Sequence, residues 1–206
     1  MNAEIYNYVD ANLTKMIGTL SELVAIPSVK GKAVPGKPYG EECAKVLDKM
    51  LNIASSIGFR TENHKNRVGT IDFYPDGEPS LGILCHLDVV PAGDGWKPPP
   101  FSMFMSGGKL YGRGTMDDKG PAVCVLYAMK AIKDCGIKLS KNVRFIVGTD
   151  EENGSSDLAW YKKQAKLPPN VFTPDGSYPV ISIEKGMIRV EISAKGAVGG
   201  SKSVIS

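Results

Sequence analysis

The amino-acid sequence predicts an α/β protein, a three-layer αβα domain built on a mixed central sheet. Segments with helical periodicity alternate along the chain with short apolar runs of strand length, as expected when helices cover both faces of a sheet. The runs at residues 81–85 and 143–148 are almost entirely apolar, which is typical of strands buried on both faces. Each run is followed within two residues by an ionisable side chain, His86 or Asp150.

The first helix is predicted at the N-terminus, where apolar residues recur at steps of three and four. They are Ile5, Val9, Leu13, Met16, Leu20 and Leu23. A proline disfavours helical backbone in the residue before it, so this helix is expected to end before the Ile26–Pro27 pair. A loop is expected over residues 27–40, followed by a second helix from Glu41 to Ile57 with Gly58 at its C-terminal cap.

Two strands are expected at residues 69–74 and 81–85, joined into a hairpin by the turn-forming residues 75–77. This hairpin is the reason for expecting a mixed sheet. A long loop is predicted over residues 90–108 and a third helix from Lys119 to Cys135. The remaining predicted elements are a strand at 143–148, a short helix capped by Ser155 or Ser156 and reaching Lys163, and strands near 180–184 and 187–193.

Charge and composition exclude several classes of partner. The 25 basic and 22 acidic residues give a net charge of +3 without a dense basic block, so no nucleic acid partner is expected. No segment has the length and hydropathy of a signal peptide or a membrane span, so no membrane partner is expected. The four cysteines form no C-x-x-C pair and are expected to be reduced, which favours the cytoplasm.

Candidate metal ligands follow the apolar runs at long intervals. The sequence separations are 31 residues from His86 to Asp117, 35 to Glu152 and 23 to Asp175. Such ligands can converge only when several strands deliver them to one edge of a sheet. Carboxylates with one imidazole and no thiolate suit Zn²⁺, Co²⁺ or Mn²⁺. Asp88, two residues from His86 in an extended segment, can reach and orient the imidazole ring.

Each of these signals also has a structural explanation. The glycines before Asp117 can form a turn, and Asp117 and Asp118 can cap the following helix. The acidic run Asp150–Glu152 can be a solvated corner of the protein. Alternatively, two divalent cations would offset the repulsion among seven nearby carboxylates, which are Asp88, Asp117, Asp118, Asp150, Glu151, Glu152 and Asp175. A nucleotide site is disfavoured because there is no phosphate-binding loop.

Four segments resemble the di-zinc peptidase family of aminoacylases, succinyl-diaminopimelate desuccinylases, carnosinases and glutamate carboxypeptidases, and in particular its bacterial dipeptidase branch. They are HLDVVPAGDGW, LYGRGTMDDKGP, GTDEENGSSD and TPDGSYPVISIEKG. The resemblance implies a zinc-peptidase catalytic domain with two Zn²⁺ in the complete site. It implies that His86 and Asp175 bind one zinc, Glu152 the second, and Asp117 both. It also implies that Asp88 orients His86, that Glu151 is the general base, and that the peptide bond after Asp117 is cis.

The chain departs from the family pattern in one respect. The family takes a second histidine ligand from the C-terminal end of its catalytic domain and substrate contacts from an inserted lid, whereas this chain has only His64 and His86. His64 lies in a polar segment that matches no ligand motif and is expected to be exposed. Residues 1–186 are therefore expected to be the N-terminal part of the catalytic domain, and residues 187–206 the last strand and the truncated start of a lid or connection. The isolated chain is expected to bind at most one metal firmly and to have little peptidase activity.

The resemblance implies zinc-dependent hydrolysis of dipeptides of the Xaa-His or β-Ala-Xaa type, with a small peptide as the partner molecule. Two alternatives remain open at the level of sequence. One is deacylation or desuccinylation of N-acyl amino acids, which uses the same metal chemistry. The other is a non-catalytic, truncated relic of the family. No expectation for the oligomeric state follows from these residues.

Overall fold

The computed structural model describes residues 3–176, 179–183, 186, 188, 190, 192 and 193. The chain divides into a unit of residues 1–176 and a unit of residues 177–206, and the elements below belong to the first. The helices are α1 (Ala3–Val24), α2 (Glu41–Ser56), α3 (Lys119–Asp134) and α4 (Ser156–Gln164). The strands are β1 (Arg60–His64), β2 (Val68–Asp72), β3 (Pro79–His86), β4 (Phe104–Ser106), β5 (Lys109–Tyr111), β6 (Asn142–Gly148) and β7 (Asn170–Phe172). A short 3-10 helix covers Glu151–Asn153.

The central sheet is mixed, as predicted, but for a different reason. Its strand order is β1-β2-β6-β3-β7, with β3 parallel to both β6 and β7, and β2 antiparallel to β1 and β6. The predicted hairpin between residues 69–74 and 81–85 is wrong, because β6 lies between β2 and β3. The observed hairpin joins β1 to β2 through residues 65–67, where the φ angles of Lys65 and Asn66, 56° and 53°, match a tight hairpin turn.

The two faces of the sheet carry different helices. On one face Ile71, Phe145 and Cys85 belong to the main core with buried residues of α1, α2 and α3. On the other face Val68 and Ile146 pack with Tyr161 of α4. Because side chains alternate along a strand, neighbouring residues such as Phe145 and Ile146 point into different cores. This arrangement confirms the predicted three-layer αβα fold.

The predicted helices and the strand at residues 143–148 are confirmed, with boundaries shifted by a few residues at most. Strands β1 and β7 and the small hairpin β4–β5 were not expected. Ser155 occupies the N-cap of α4 without a side-chain cap hydrogen bond. Residues 180–183 form no strand, and most of the predicted strand at 187–193 lies outside the described residues. The predicted boundary at residue 186 stays a prediction.

Candidate metal centre

The candidate ligands meet at the carboxyl-terminal edge of the parallel strands. His86 is the last residue of β3, Glu151 and Glu152 follow β6, and Asp175 follows β7. Asp117 lies just before the start of α3, which packs against β3 in the main core. Parallel strands end at a common edge, so their next residues converge although they are far apart in sequence.

The ring of His86 lies at the centre of this cluster. Its Nε2 atom is 3.0 Å from Asp117 Oδ1, 3.3 Å from Asp175 Oδ2 and 3.8 Å from Glu151 Oε2. The His86 side chain is 3% exposed, whereas that of Asp117 is 62% exposed. The imidazole is thus held inside the protein, while the carboxylates of Asp117 and Glu151 remain open to solvent.

The possible ligand atoms fall into two overlapping groups that share His86. One group contains His86, Asp117 and Glu152, and the other contains His86, Asp118 and Asp175, with the ligand atoms of each group within 4.8 Å of one another. All four predicted ligands, His86, Asp117, Glu152 and Asp175, therefore come together in the structure. Asp118 was not predicted as a member.

Asp88 connects the histidine to the two glutamates. Its carboxylate is fully buried and accepts the backbone N–H groups of Glu151 and Glu152, each at 3.1 Å. Oδ1 of Asp88 lies 3.4 Å from His86 Nδ1, and the backbone oxygen of Asp88 lies 3.0 Å from the same atom. Asp88 therefore lies beside the ring, and its role in orienting the imidazole stays a prediction. Its bonds to the glutamate backbone were not foreseen, because they join positions more than 60 residues apart.

Asp150 is paired with a lysine and lies outside the two possible ligand groups. Its carboxylate is fully buried, pairs with Lys30 Nζ at 2.6 Å, and accepts hydrogen bonds from the backbone and the hydroxyl of Ser156. Lys30 therefore offsets the charge of Asp150 within the protein, and the proposal that divalent cations offset the repulsion among the other carboxylates stays a prediction. The solvated-corner alternative is wrong for Asp150. Lys30 lies in the loop after α1, where no local pattern indicated its role.

Asp157 was also missed by the sequence analysis. Its Oδ2 atom accepts the backbone N–H groups of Thr149 at 2.6 Å and Asp150 at 3.1 Å, which shapes the turn that carries the glutamates. A Cβ atom at Gly148 would lie 2.5 Å from this oxygen. The glycine at the end of the apolar run was the signal that another group approaches the backbone closely at this position.

Asp118 does not cap α3 with its side chain, so the capping interpretation is wrong for this residue. Its carboxylate is fully buried, and Oδ2 accepts the backbone N–H of His86 at 3.0 Å. The peptide bond between Asp117 and Asp118 is cis, as the family resemblance implied.

The electrostatics of the cluster favour a bound cation. Burial lowers the pKa of His86, but the hydrogen bond and charge of Asp88, with Asp118 and Asp175, raise it to about 10. Burial raises the pKa of Asp118 to about 7, and Asp175 adds to the rise. Burial and neighbouring carboxylates also raise the pKa of Glu151 and of Glu152. Beside the larger effect of burial, the neighbouring carboxylates add to each rise, and a divalent cation would relieve their repulsion.

The donor set itself fits the predicted metals. The two ligand groups offer one imidazole and several carboxylates, and neither group contains a thiolate. Burial raises the pKa of the adjacent Cys85, which keeps this sulfur in its thiol form. Imidazole and carboxylate ligands suit Zn²⁺, Co²⁺ and Mn²⁺.

The second histidine of the chain lies away from this cluster. His64 is on β1, its Nε2 is 3.0 Å from Thr70 Oγ1, and its ring packs on Tyr161 with 4.9 Å between centroids. The expectation that His64 is exposed is wrong, because only 16% of its side chain is accessible. Strand β1 was not predicted, and this strand places the histidine against α4.

Known proteins are similar to this chain over the region that carries the candidate site residues. The model of peptidase family M20/M25/M40 matches residues 82–193, which include every candidate site residue. The putative dipeptidase YtjP of Bacillus subtilis is 42% identical over 175 residues, 84% of this chain and 38% of the relative. The Beta-Ala-Xaa dipeptidase of Lactobacillus delbrueckii subsp. lactis is 37% identical over 198 residues, 95% of this chain and 42% of the relative.

Solved structures show the same architecture. Human carnosine dipeptidase 1 superposes with a TM-score of 0.73 at 25% identity, covering 85% of this chain and 41% of that protein. The dipeptidase Dug1p of Saccharomyces cerevisiae has a TM-score of 0.66 at 22% identity, covering 79% and 37%, and is similar in fold. The chain thus spans about two fifths of the length of the curated relatives it matches.

Proposed function

Because the chain belongs to peptidase family M20/M25/M40, we propose that its metal centre hydrolyses the peptide bond of dipeptides of the β-Ala-Xaa or Xaa-His type. The observation that carries this proposal is the convergence of Asp117, Asp175 and Glu151 on one buried imidazole nitrogen of His86. Glu151 and Asp175 follow different strands and Asp117 precedes a helix, so only the folded chain brings them to this nitrogen.

The residues that would hold the metal are the two overlapping ligand groups. His86 and Asp175 would bind one ion, Glu152 the second, and Asp117 would contribute to both. Zn²⁺ is the proposed ion, with Co²⁺ or Mn²⁺ as alternatives that suit the same donors. When bound, such ions polarise the substrate carbonyl and lower the pKa of a coordinated water.

Glu151 is the proposed general base. Its carboxylate lies 3.8 Å from His86 Nε2, half exposed at the mouth of the cluster, where it can accept a proton from the attacking water. The same carboxylic acid can then donate this proton to the departing amine. Asp88 supports both partners, since it holds the backbone of Glu151 and lies against the opposite ring nitrogen of His86.

The test of this assignment is Glu151→Gln, which keeps the size of the side chain and removes its basicity. In the protein as the cell produces it, we expect turnover to fall by roughly 10²–10⁴-fold or more, while metal content measured by atomic emission stays nearly unchanged. Glu78→Gln, an exposed substitution at the other end of β3, is the matched control and should leave both quantities unaltered. Loss of metal from Glu151→Gln would make Glu151 a ligand, and undiminished turnover would exclude it as the base.

The choice of dipeptides over N-acyl amino acids is supported by the similar proteins, which are described as dipeptidases. The assay compares β-Ala-His and Xaa-His dipeptides with acetylated and succinylated amino acids. It uses the protein as the cell produces it, with the 206-residue chain measured beside it. Faster hydrolysis of the N-acyl amino acids would favour deacylation, and inactivity of the cellular protein toward both classes would favour the non-catalytic alternative.

The cellular compartment also stays a prediction. Among the described residues, no helix combines the length and apolar character needed to cross a membrane.

A further inference from the structure

Asp118 accepts a backbone hydrogen bond from the end of β3, at a position that the neighbouring strand β7 does not reach. The backbone N–H of Leu87 bonds to the carbonyl of Gly148 after β6. Because N–H groups alternate in direction along a strand, the N–H of His86 faces the opposite side, toward β7. On that side β7 pairs only with Leu81, Gly82 and Ile83. Oδ2 of Asp118 therefore takes the place that a neighbouring strand would fill at His86.

The hydrogen bond is needed because the position is buried. His86 is only 3% exposed, and a buried N–H without a partner destabilises the conformation that leaves it so. Loss of the Asp118 acceptor would favour a shift of the His86 backbone toward water or another acceptor. Such a shift would also turn the imidazole ring, whose Nε2 is the centre of the ligand cluster.

The second carboxylate oxygen of Asp118, Oδ1, differs from Oδ2 in its contacts. Oδ1 is buried and has no hydrogen-bond partner among the described residues. The nearby Cys85 thiol lowers the pKa of Asp118, but a thiol is only a weak hydrogen-bond donor. The Asp118 carboxylate also lies in the ligand group with His86 and Asp175. Asp118 thus lies in the candidate metal centre and is also hydrogen-bonded to the backbone of His86.

The chain on the C-terminal side of Asp118 is firmly anchored. Lys119 is fully buried, and its ammonium group donates to the carbonyl oxygens of Leu23 at 2.9 Å and Ile26 at 2.8 Å at the end of α1. At Gly120 an added Cβ atom would lie 2.0 Å from the carbonyl oxygen of Thr115. This close packing leaves Asp118 little freedom to move, which suits a residue that fixes the position of another.

From this arrangement we propose that Asp118 is a positioning residue. By accepting the His86 N–H it fixes the end of β3 and the direction of the imidazole ring, and so sets the affinity of the centre for a divalent cation. The inference rests on the proposed metal centre, but it assigns a task to a carboxylate that is outside the predicted ligand set.

Two substitutions separate positioning from direct ligation. Asp118→Asn keeps an oxygen that can accept the His86 N–H, whereas Asp118→Ala removes it. We expect the Zn²⁺ dissociation constant, measured by competition with a chelating dye, to stay within about threefold of wild type in Asp118→Asn. In Asp118→Ala it should rise by roughly 10–100-fold, as when a group that orients a ligand is removed. The absorption spectrum of bound Co²⁺ should change only in the alanine variant.

A metal-free measurement tests the hydrogen bond itself. Amide hydrogen exchange at His86 should be slow in wild type and in Asp118→Asn, and faster in Asp118→Ala. The matched control is Asn142→Ala, because Asn142 is also buried and accepts a backbone N–H, from Tyr74 at 2.9 Å, at the opposite end of β6. This control should lower stability without changing the Zn²⁺ affinity.

Three results would overturn the inference. Equal losses of affinity in Asp118→Asn and Asp118→Ala would make Asp118 a direct ligand. Unchanged affinity in Asp118→Ala would remove its role at the centre. Unchanged exchange at the His86 amide in Asp118→Ala would show that the hydrogen bond is dispensable. Absence of Zn²⁺ binding to the wild-type protein would instead refute the proposed metal centre. The exchange experiment requires no metal, so it still tests the hydrogen bond between Asp118 and His86 in that case.

Discussion

Asp88→Ala is expected to lower both the stability of the fold and the affinity of the metal centre. The Asp88 carboxylate is fully buried and accepts two backbone N–H groups, from Glu151 and Glu152, at 3.1 Å each. It also lies 3.4 Å from His86 Nδ1. Alanine removes all three contacts and leaves two donors of the turn after β6 without their acceptor.

The magnitude follows from these contacts. A hydrogen bond to a charged group contributes about 1.5–3 kcal/mol, so the two N–H bonds together contribute about 3–6 kcal/mol. Removing the carboxylate also removes the unfavourable burial of a charge, which offsets part of this loss. We therefore expect the free energy of unfolding to fall by about 3 kcal/mol, at the lower end of the range. For a chain of this size that corresponds to a decrease in Tm of about 6–12 °C.

The assay is urea denaturation followed by circular dichroism, in the presence of a chelator so that metal binding does not contribute. Asp88→Asn should lie between wild type and alanine, because its amide retains one acceptor oxygen. With metal present, the Zn²⁺ affinity of Asp88→Ala should fall by roughly 10–100-fold. Asp94→Ala, in the exposed loop that follows β3, is the control and should leave stability and metal affinity unchanged. Wild-type stability of Asp88→Ala, or loss of stability with unchanged metal affinity, would refute the reasoning.

Two further predictions concern the backbone near Asp157 and the histidine outside the site. Gly148→Ala should cost about 1–3 kcal/mol in urea denaturation, because its Cβ would lie 2.5 Å from Asp157 Oδ2. Gly18→Ala lies on α1, where the added Cβ meets no other atom, and it should instead stabilise the fold by about 0.5–1 kcal/mol. Equal changes in stability for the two glycine substitutions would contradict the packing argument. Burial lowers the pKa of His64 below its ordinary value of 6.5, so its contribution to stability is present above pH 6.5 and is lost as the pH falls through the lowered pKa. His64→Gln should therefore lose less stability than wild type between pH 7 and pH 5, and a larger loss in the variant would reverse the assigned sign.

Local patterns were sufficient for the helices, for the strands β3 and β6, and for the chemical types at the site. The helix α1 follows from apolar residues at steps of three and four, and its end follows from Pro27. The strands β3 and β6 follow from their nearly continuous apolar content. Since ionisable residues come directly after these strands, their meeting at one edge was predictable once the strands were taken as parallel. These properties depend on neighbouring residues, and so they can be recognised along the chain.

The order of the strands and the partners of the buried charges were decided only by the tertiary structure. Strand β1 has the sequence Arg-Thr-Glu-Asn-His, and at the edge of the sheet it needs no apolar face to be stable. Nothing in the chain near residues 69–85 indicates that β6, some 60 residues later, inserts between β2 and β3. Likewise the pairing of Asp150 with Lys30 and of Asp118 with the backbone of His86 depends on which surfaces are buried together. The residue types at the site can therefore be recognised from local sequence patterns. The charge balance and rigidity of the site arise from contacts that only the folded chain creates.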